Sequence, residues 1–361
     1  GMREMVKRHA LIRKLASVET LGSVTVICSD KTGTLTQNQM TVTRLWADGK
    51  FITVTGSGYE PHGEFLNGDQ KIDFKAYRGV GTALWIGALN NDAQLELSGE
   101  SDGKPTYRIV GDPTEGSILV AAEKAGTSVE ELQKAYPRVQ EIPFDSERKR
   151  MLTIHAIKQP VDDDISPFTS ADREKGYIIA VKGAPDIVLG LCTQRLRLDN
   201  DVEPLTEETR QEILAANDAM TKDALRVLGV AYRIVPQMPE DITPEALEKD
   251  LIFAGLIGMI DPARPEVKTA LAEAKTAGIR TIMITGDYPN TARAIAEEIG
   301  LLEPGHQVLT GADIEDKSEE EMREIVKVTD VYARVSPEHK MKIVDALRDN
   351  HEVVAMTGDG V

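Results

Sequence analysis

Residues 30–36 read Asp30-Lys31-Thr32-Gly33-Thr34-Leu35-Thr36. Just before them, Val24-Thr25-Val26-Ile27-Cys28 is a short apolar, β-branched run, which predicts a buried parallel strand. A carboxylate is therefore expected where a strand ends and a polar, glycine-containing loop begins. Open α/β sheets bind their ligands at the carboxyl ends of the strands. An Asp in that place can ligate a metal or act as a covalent nucleophile. Gly33 allows the backbone to come close to a phosphate. Lys31 offers a positive charge, and the Thr hydroxyls and loop N–H groups can bond phosphoryl oxygens. The plainer alternative is an Asp that caps a turn after a core strand.

The last hundred residues repeat the pattern. Gly278-Ile279-Arg280-Thr281-Ile282-Met283-Ile284 reads as a strand ending at Thr285-Gly286-Asp287. A helix is expected over 291–299, stopped by Gly300. A short strand covers 331–333. Ser336 and Pro337 open a further helix as N-cap and first-turn residue, running to about residue 347. The strand 353–356 then ends at Thr357-Gly358-Asp359. Strand alternating with helix predicts a doubly wound parallel sheet. Asp30, Asp287 and Asp359 would then share one rim. Three gathered carboxylates call for a cation, and Mg²⁺ with oxygen ligands is the expected one.

The middle differs in texture. Asp48-Gly49, Asn67-Gly68-Asp69 and Asp102-Gly103 punctuate it like hairpin turns. Strands are expected at 51–55, 151–157, 177–181 and 224–232, and helices at 115–124, 128–134, 206–221 and 243–251. This mixture predicts an α+β domain, an antiparallel sheet flanked by helices, inserted into the parallel one. Segment 159–175 is polar and Asp-rich and reads as a surface loop. The chain should cross between domains near 41–44 and near Asp261, where Asp261-Pro262-Ala263-Arg264-Pro265 stiffens the connection. The resulting division is 1–42, 43–259 and 260–361, with a basic helix expected over 6–15.

The net charge of −17 argues against a nucleic-acid partner and against general attraction to anionic lipid. An anionic ligand must be held by local Lys and Arg. Cys28 and Cys192 form no spacing motif, which suits reducing cytosol, and Cys28 should be buried and inert. The longest strongly apolar stretch, 251–260, is about half of the ~20 residues that span a bilayer, so no membrane insertion is expected. Gly1-Met2 and the end at Val361 read as the limits of a soluble piece of a longer chain.

The heptad matches the phosphorylation signature of the P-type ATPases, and nearly the whole chain resembles their cytoplasmic part. Val18-Glu19-Thr20-Leu21-Gly22 and the run from Ser29 to Met40 look most like the calcium and sodium pump branch. The resemblance implies a haloacid dehalogenase-like core with an inserted nucleotide-binding domain. It implies ATP as substrate, Mg²⁺ as cofactor, and transfer of the γ-phosphate to Asp30, coupled to transport of a cation, with calcium favoured by the branch. It also implies a place on the cytoplasmic face of a membrane, with transmembrane and actuator domains of the same polypeptide as partners. Two alternatives stand beside it. One is a stand-alone phosphatase of the same core, which would usually carry an Asp where Thr32 stands. The other is a non-catalytic nucleotide-binding module.

Four strings in the middle region resemble nucleotide-domain motifs of this family. In Phe144-Asp145-Ser146-Glu147-Arg148-Lys149-Arg150-Met151, the resemblance makes Phe144 the adenine platform and lets Lys149 line the pocket. In Lys182-Gly183-Ala184-Pro185-Asp186, Lys182 should enter the pocket, and Gly183 should let the base pass close to the backbone. Glu115, in Gly111-Asp112-Pro113-Thr114-Glu115, corresponds to a carboxylate near the adenine amino group. Arg226, in Leu225-Arg226-Val227-Leu228, corresponds to an Arg that reaches the phosphates. Singly, these read as a core aromatic, a strand end, a helix start and an exposed Arg.

For the chemistry, the resemblance makes Asp30 the nucleophile. Asp30, Asp359 and the Thr32 carbonyl become the Mg²⁺ ligands. Asp287 should orient the loop and face the nucleotide. Lys340, in Arg334-Val335-Ser336-Pro337-Glu338-His339-Lys340, should hold the phosphoryl group, which Thr32, Thr285 and Gly286 also touch. Arg264 and Arg334 should contact nucleotide phosphate or ribose. The family's last loop continues into Asn-Asp beyond the point where this sequence stops. Mg²⁺ affinity and self-phosphorylation are therefore expected to suffer in the piece, while ATP binding persists.

Overall fold

The computed structural model describes residues 21–101, 104–161 and 165–357. The expected helix over 6–15 and the expected metal ligand Asp359 lie outside them. The chain forms two compact units, one from residues up to Asn38 together with those from Pro262, the other from Gln39–Asp261.

The first unit is α/β. Its five-stranded sheet runs in the order Gln307–Thr310, Thr329–Ala333, Arg280–Ile284, Val26–Asp30, Val354–Met356. Every pairing is parallel. Cys28, Ile282 and Ile284 are wholly buried, as strands covered on both faces require. Burial pushes the Cys28 thiol up to about 12, so it is inert as a nucleophile. The first strand starts two residues later than the apolar run and includes Asp30 as its last residue. Asp30 pairs with Ile284, and Cys28 with Met356, so residues 30, 285–287 and 357 share one rim.

Helices Val267–Thr276, Pro289–Glu298 and Pro337–Asp349 connect these strands. Ser336 caps the last as expected, its side chain accepting from the His339 N–H with Pro337 in the first turn. Gly300, at φ +74°, follows the Pro289–Glu298 helix.

The second unit is built on an eleven-stranded, largely antiparallel sheet. One core packs helices Arg78–Leu89 and Pro113–Lys124 against the sheet. A second core, on other residues of the same strands, takes up Val188 of the short helix Pro185–Gly190 and Ile213 and Met220 of Glu207–Lys222.

Several expectations change here. The helix over 243–251 is a single turn, Pro244–Leu247, and Asp250 at φ +54° leads into the strand Leu251–Ile260. That strand lies between Thr41–Ala47 and Arg226–Val235 and is buried on both faces, so it shows no alternation. Residues 41–44 begin the strand Thr41–Ala47, just after the division between the units at Asn38 and Gln39. The strand expected from 224 begins at Arg226, after Ala224 at φ +60°. Helix Arg78–Leu89 escaped notice because Gly79 through Leu89 are all buried, which removes the polar face that makes a helix legible. Of the loop expected over 159–175, residues 165–168 are more than surface. Ile165 and Phe168 are buried, and the Phe168 ring packs 5.7 Å from Trp85.

Candidate functional site

Two clusters gather the expected residues, one in each unit.

In the first unit, Lys31–Leu35 makes one irregular helical turn after Asp30, broken by Gly33 at φ +75°. That backbone is one a β-carbon disfavours, which explains a glycine here. The Asp30 N–H donates to Thr357 Oγ1 (3.0 Å) and Lys340 Nζ lies 3.4 Å from Asp30 Oδ2. Lys340 is delivered from the first turn of the Ser336-capped helix. An open cleft of about 790 Å³ is lined by Asp30, Thr32, Gly33, Thr285, Gly286 and Lys340, among others.

Lys31 behaves differently from a rim cation. It is buried, and its Nζ pairs with Asp287 Oδ2 at 2.8 Å. Its charge is thus tied to the neighbouring loop, and Asp287 meets the first loop through Lys31. The Asp287 N–H donates to Thr285 Oγ1, and the Arg334 N–H to the Asp287 carbonyl. Arg334 sits at φ +52° with its guanidinium 4.1 Å above the Tyr288 ring, a cation–π contact. Arg264 Nη2 donates to the Gly33 carbonyl (2.9 Å) and so braces the loop after Asp30. Tyr288 and Thr357 also belong to this cluster, and only their places at strand ends hint at it in the sequence.

Among the described residues no group of three or more His, Cys, Asp or Glu gathers as a metal site. The Asp30 carboxylate and the Thr32 carbonyl are hard oxygen donors of the kind Mg²⁺ takes.

In the second unit, Asp112 caps helix Pro113–Lys124, its side chain accepting from the Thr114 and Glu115 N–H groups. This cap holds Glu115 in the first turn. Glu115 Oε1 pairs with Lys182 Nζ at 2.7 Å, while the other oxygen accepts from the Asp92 N–H at 3.0 Å. Lys182 is 5% exposed and also donates to the Asn90 carbonyl. Burial pulls its ammonium below the usual lysine range, and the Glu115 carboxylate opposes that shift. Asn90 in turn donates to the carbonyls of Met151 and Ala180. Arg138 ties down the same segment through Asp92 and the Asn91 carbonyl.

Arg226 Nη1 donates to Thr114 Oγ1 at 2.6 Å, so it too reaches the start of the Glu115 helix. Lys149, at φ +53°, belongs to a tight turn closed by Asp145, whose carboxylate accepts from the Glu147 and Arg148 N–H groups. The Lys149 carbonyl accepts from the Ala184 N–H, and a β-carbon on Gly183 would stand only 2.4 Å from that carbonyl. The close approach recorded at Gly183 is thus with the Lys149 backbone. Phe144 stands 64% exposed beside this turn. Glu115 and Lys182 pair directly, Arg226 reaches Thr114 beside Glu115, and the Lys149 carbonyl reaches Ala184 beside Gly183. Asn90, Asp92 and Arg138 complete the cluster and were not foreseen.

A family model described as "P-type ATPase, cytoplasmic domain N" matches residues 80–266, a little over half of the chain. A calcium-transporting ATPase of Bacillus subtilis is 42% identical over all of this chain, which covers 38% of that relative. Calcium-transporting ATPase 1 of Lactococcus lactis is also 42% identical, with 36% of its length covered. A probable cation-transporting ATPase F of Mycobacterium bovis is 41% identical, with 38% covered. The chain thus spans well under half the length of these relatives. No helix among the described residues is long and apolar enough to cross a membrane.

Proposed function

This chain belongs to the cation-transporting P-type ATPases, and from that premise we propose that it supplies the phosphorylation and nucleotide-binding parts of an ATP-driven cation pump. The first unit is the haloacid dehalogenase-like phosphorylation domain. The second, Gln39–Asp261, is the nucleotide-binding domain. The names of the similar Bacillus and Lactococcus proteins make calcium the cation we assign. The transmembrane and actuator domains of the longer polypeptide are its partners, and the chain works on the cytoplasmic face.

ATP binds in the second unit, with Phe144 against the adenine, Lys149, Lys182 and Gly183 around it, and Glu115 as the local acceptor. Arg226 addresses the phosphates. At the rim of the first unit Asp30 attacks the γ-phosphorus. The new bond joins an Asp30 carboxylate oxygen to phosphorus, and the bond from phosphorus to the β–γ bridging oxygen breaks, releasing ADP. Lys340 offsets charge on the transferring group, and Thr32, Thr285 and Gly286 supply donors around it. Arg264 and Arg334 reach nucleotide phosphate or ribose. Asp30, the Thr32 carbonyl and Asp359 hold Mg²⁺, whose chemistry there is to mask phosphate charge.

The observation that carries this reading is the Asp30 carboxylate at a parallel-strand terminus with Lys340 Nζ 3.4 Å away. The test uses a chain extended past residue 361 and γ-labelled ATP. An acid-stable, hydroxylamine-labile label that vanishes in Asp30→Asn is expected. Label retained in Asp30→Asn, or steady phosphomonoester turnover instead, would reject it.

A further inference from the structure

Glu248 lies outside every motif above, yet its side chain is 2% exposed and takes two arginines. Arg148 Nη2 donates to its Oε1, and Arg150 Nε donates to its Oε2 at 2.8 Å. Arg150 Nη1 also donates to the Arg148 carbonyl at 2.9 Å, locking the two arginines together. Glu248 itself is held firmly. Its N–H donates to the Pro244 carbonyl, and Arg233 Nη2 reaches toward the Leu247 carbonyl from strand Arg226–Val235.

We propose that Glu248 is a positioning residue for the nucleotide, fixing the Asp145–Arg150 turn so that Phe144 and Lys149 keep their places. The inference rests on the nucleotide-binding reading of the second unit. Lys149 lies between the two arginines that Glu248 grips, and its φ of +53° is one that a free chain rarely keeps. A buried ionic triad adds little net stability over apolar packing of the same volume, whereas it fixes direction when every donor is aimed at one carboxylate. Here the carboxylate is anchored just ahead of the central strand Leu251–Ile260, while Arg148 lies in the turn and Arg150 opens the strand that follows it, Arg150–Ala156. The turn is thereby referenced to the middle of the sheet across about a hundred residues of sequence.

Charge and position make opposite predictions. Removing the Glu248 carboxylate leaves two arginines uncompensated, which by Coulomb attraction alone would tighten a triphosphate. Loss of the turn's position would weaken it. The experiment measures ATP affinity by calorimetry on this whole chain, for the wild type, Glu248→Gln, Glu248→Asp and, as a control on the parent reading, Lys182→Met. Unfolding midpoints are taken for each so that affinity is compared per folded molecule.

Positioning predicts about tenfold weaker ATP binding in Glu248→Gln and a smaller loss in Glu248→Asp. Glu248→Gln binding as tightly as wild type or tighter, whatever its unfolding midpoint, overturns the proposal while leaving the nucleotide reading intact. Wild type that fails to bind ATP, or Lys182→Met that binds unchanged, overturns the nucleotide reading instead. Should the Glu248 variants not fold, Arg150→Lys keeps the charge but loses the fork that grips both the carboxylate and the Arg148 carbonyl, and the same tenfold criterion applies.

Discussion

Lys31 Nζ and Asp287 Oδ2 are 2.8 Å apart, joining the loop after one parallel strand to the loop after its neighbour. The lysine end is 3% exposed and the aspartate 42%. Asp287→Asn removes a charged partner of a buried ammonium. The cost should fall between those of exposed and fully buried pairs, about 2 kcal/mol. Urea unfolding of Asp287→Asn, Lys31→Met and the double variant tests this, and the double variant should recover part of the loss. Additive losses would mean that the two residues do not act as a pair.

Lys340 Nζ pairs with Asp30 Oδ2 at 3.4 Å. In a chain extended past residue 361, Lys340→Ala should slow labelling of Asp30 by roughly 10²–10³-fold, the usual effect of deleting one electrostatic contact to a transition state. ATP affinity should stay put, because the groups assigned to adenine all belong to the other unit. Stopped-time phosphorylation and equilibrium binding separate the two quantities.

Gly183→Ala places a β-carbon 2.4 Å from the Lys149 carbonyl. The turn must move or the strand must shift, at about 1–3 kcal/mol. Because the displaced residue is Lys149, ATP binding should weaken along with stability. An alanine variant with both unchanged would show that the turn yields freely.

His155 is buried, with Nδ1 at 2.9 Å from the Tyr136 carbonyl and Nε2 at 2.9 Å from Thr153 Oγ1. Burial pulls its pKa down from 6.5 to about 4. In the unfolded chain the imidazole takes up a proton below about 6.5, whereas the folded site resists until about 4. Its contribution is therefore complete above pH 6.5, is lost as pH falls toward 4, and amounts to about 3 kcal/mol. The stability of His155→Gln should show a flatter slope across that interval, read from unfolding midpoints at a series of pH values.

What could be read from the sequence followed local regularity. The run before Asp30 and the two Thr-Gly-Asp strand ends stand out, since parallel strands carry unbroken apolar runs and their loops are short. Ser336-Pro337 and Gly300 mark helix ends by chemistry confined to a few residues. Leu251–Ile260 was opaque for the opposite reason. A strand buried on both faces lacks the alternation that separates strand from helix, and the Pro244 turn before it invited a longer helix. The Glu115–Lys182 pair spans 67 residues and the Glu248–Arg148 pair 100, so no window of sequence could join either. Lys31 looked like a cation offered to phosphate, and only the register of neighbouring strands reveals its attachment to Asp287.

The second unit begins and ends at residues that lie side by side. The Gln39 N–H donates to Asp261 Oδ1, and Thr41 pairs with Ile260 at the start and end of adjacent antiparallel strands. On the other side Gln37 donates to the Pro262 carbonyl, and Thr36 bridges to Ala263. Each excision site is thus already zipped shut on both sides of the cut. A gene fragment encoding 39–261 has ends held side by side by its own sheet, and the parallel remainder could be rejoined by a short turn.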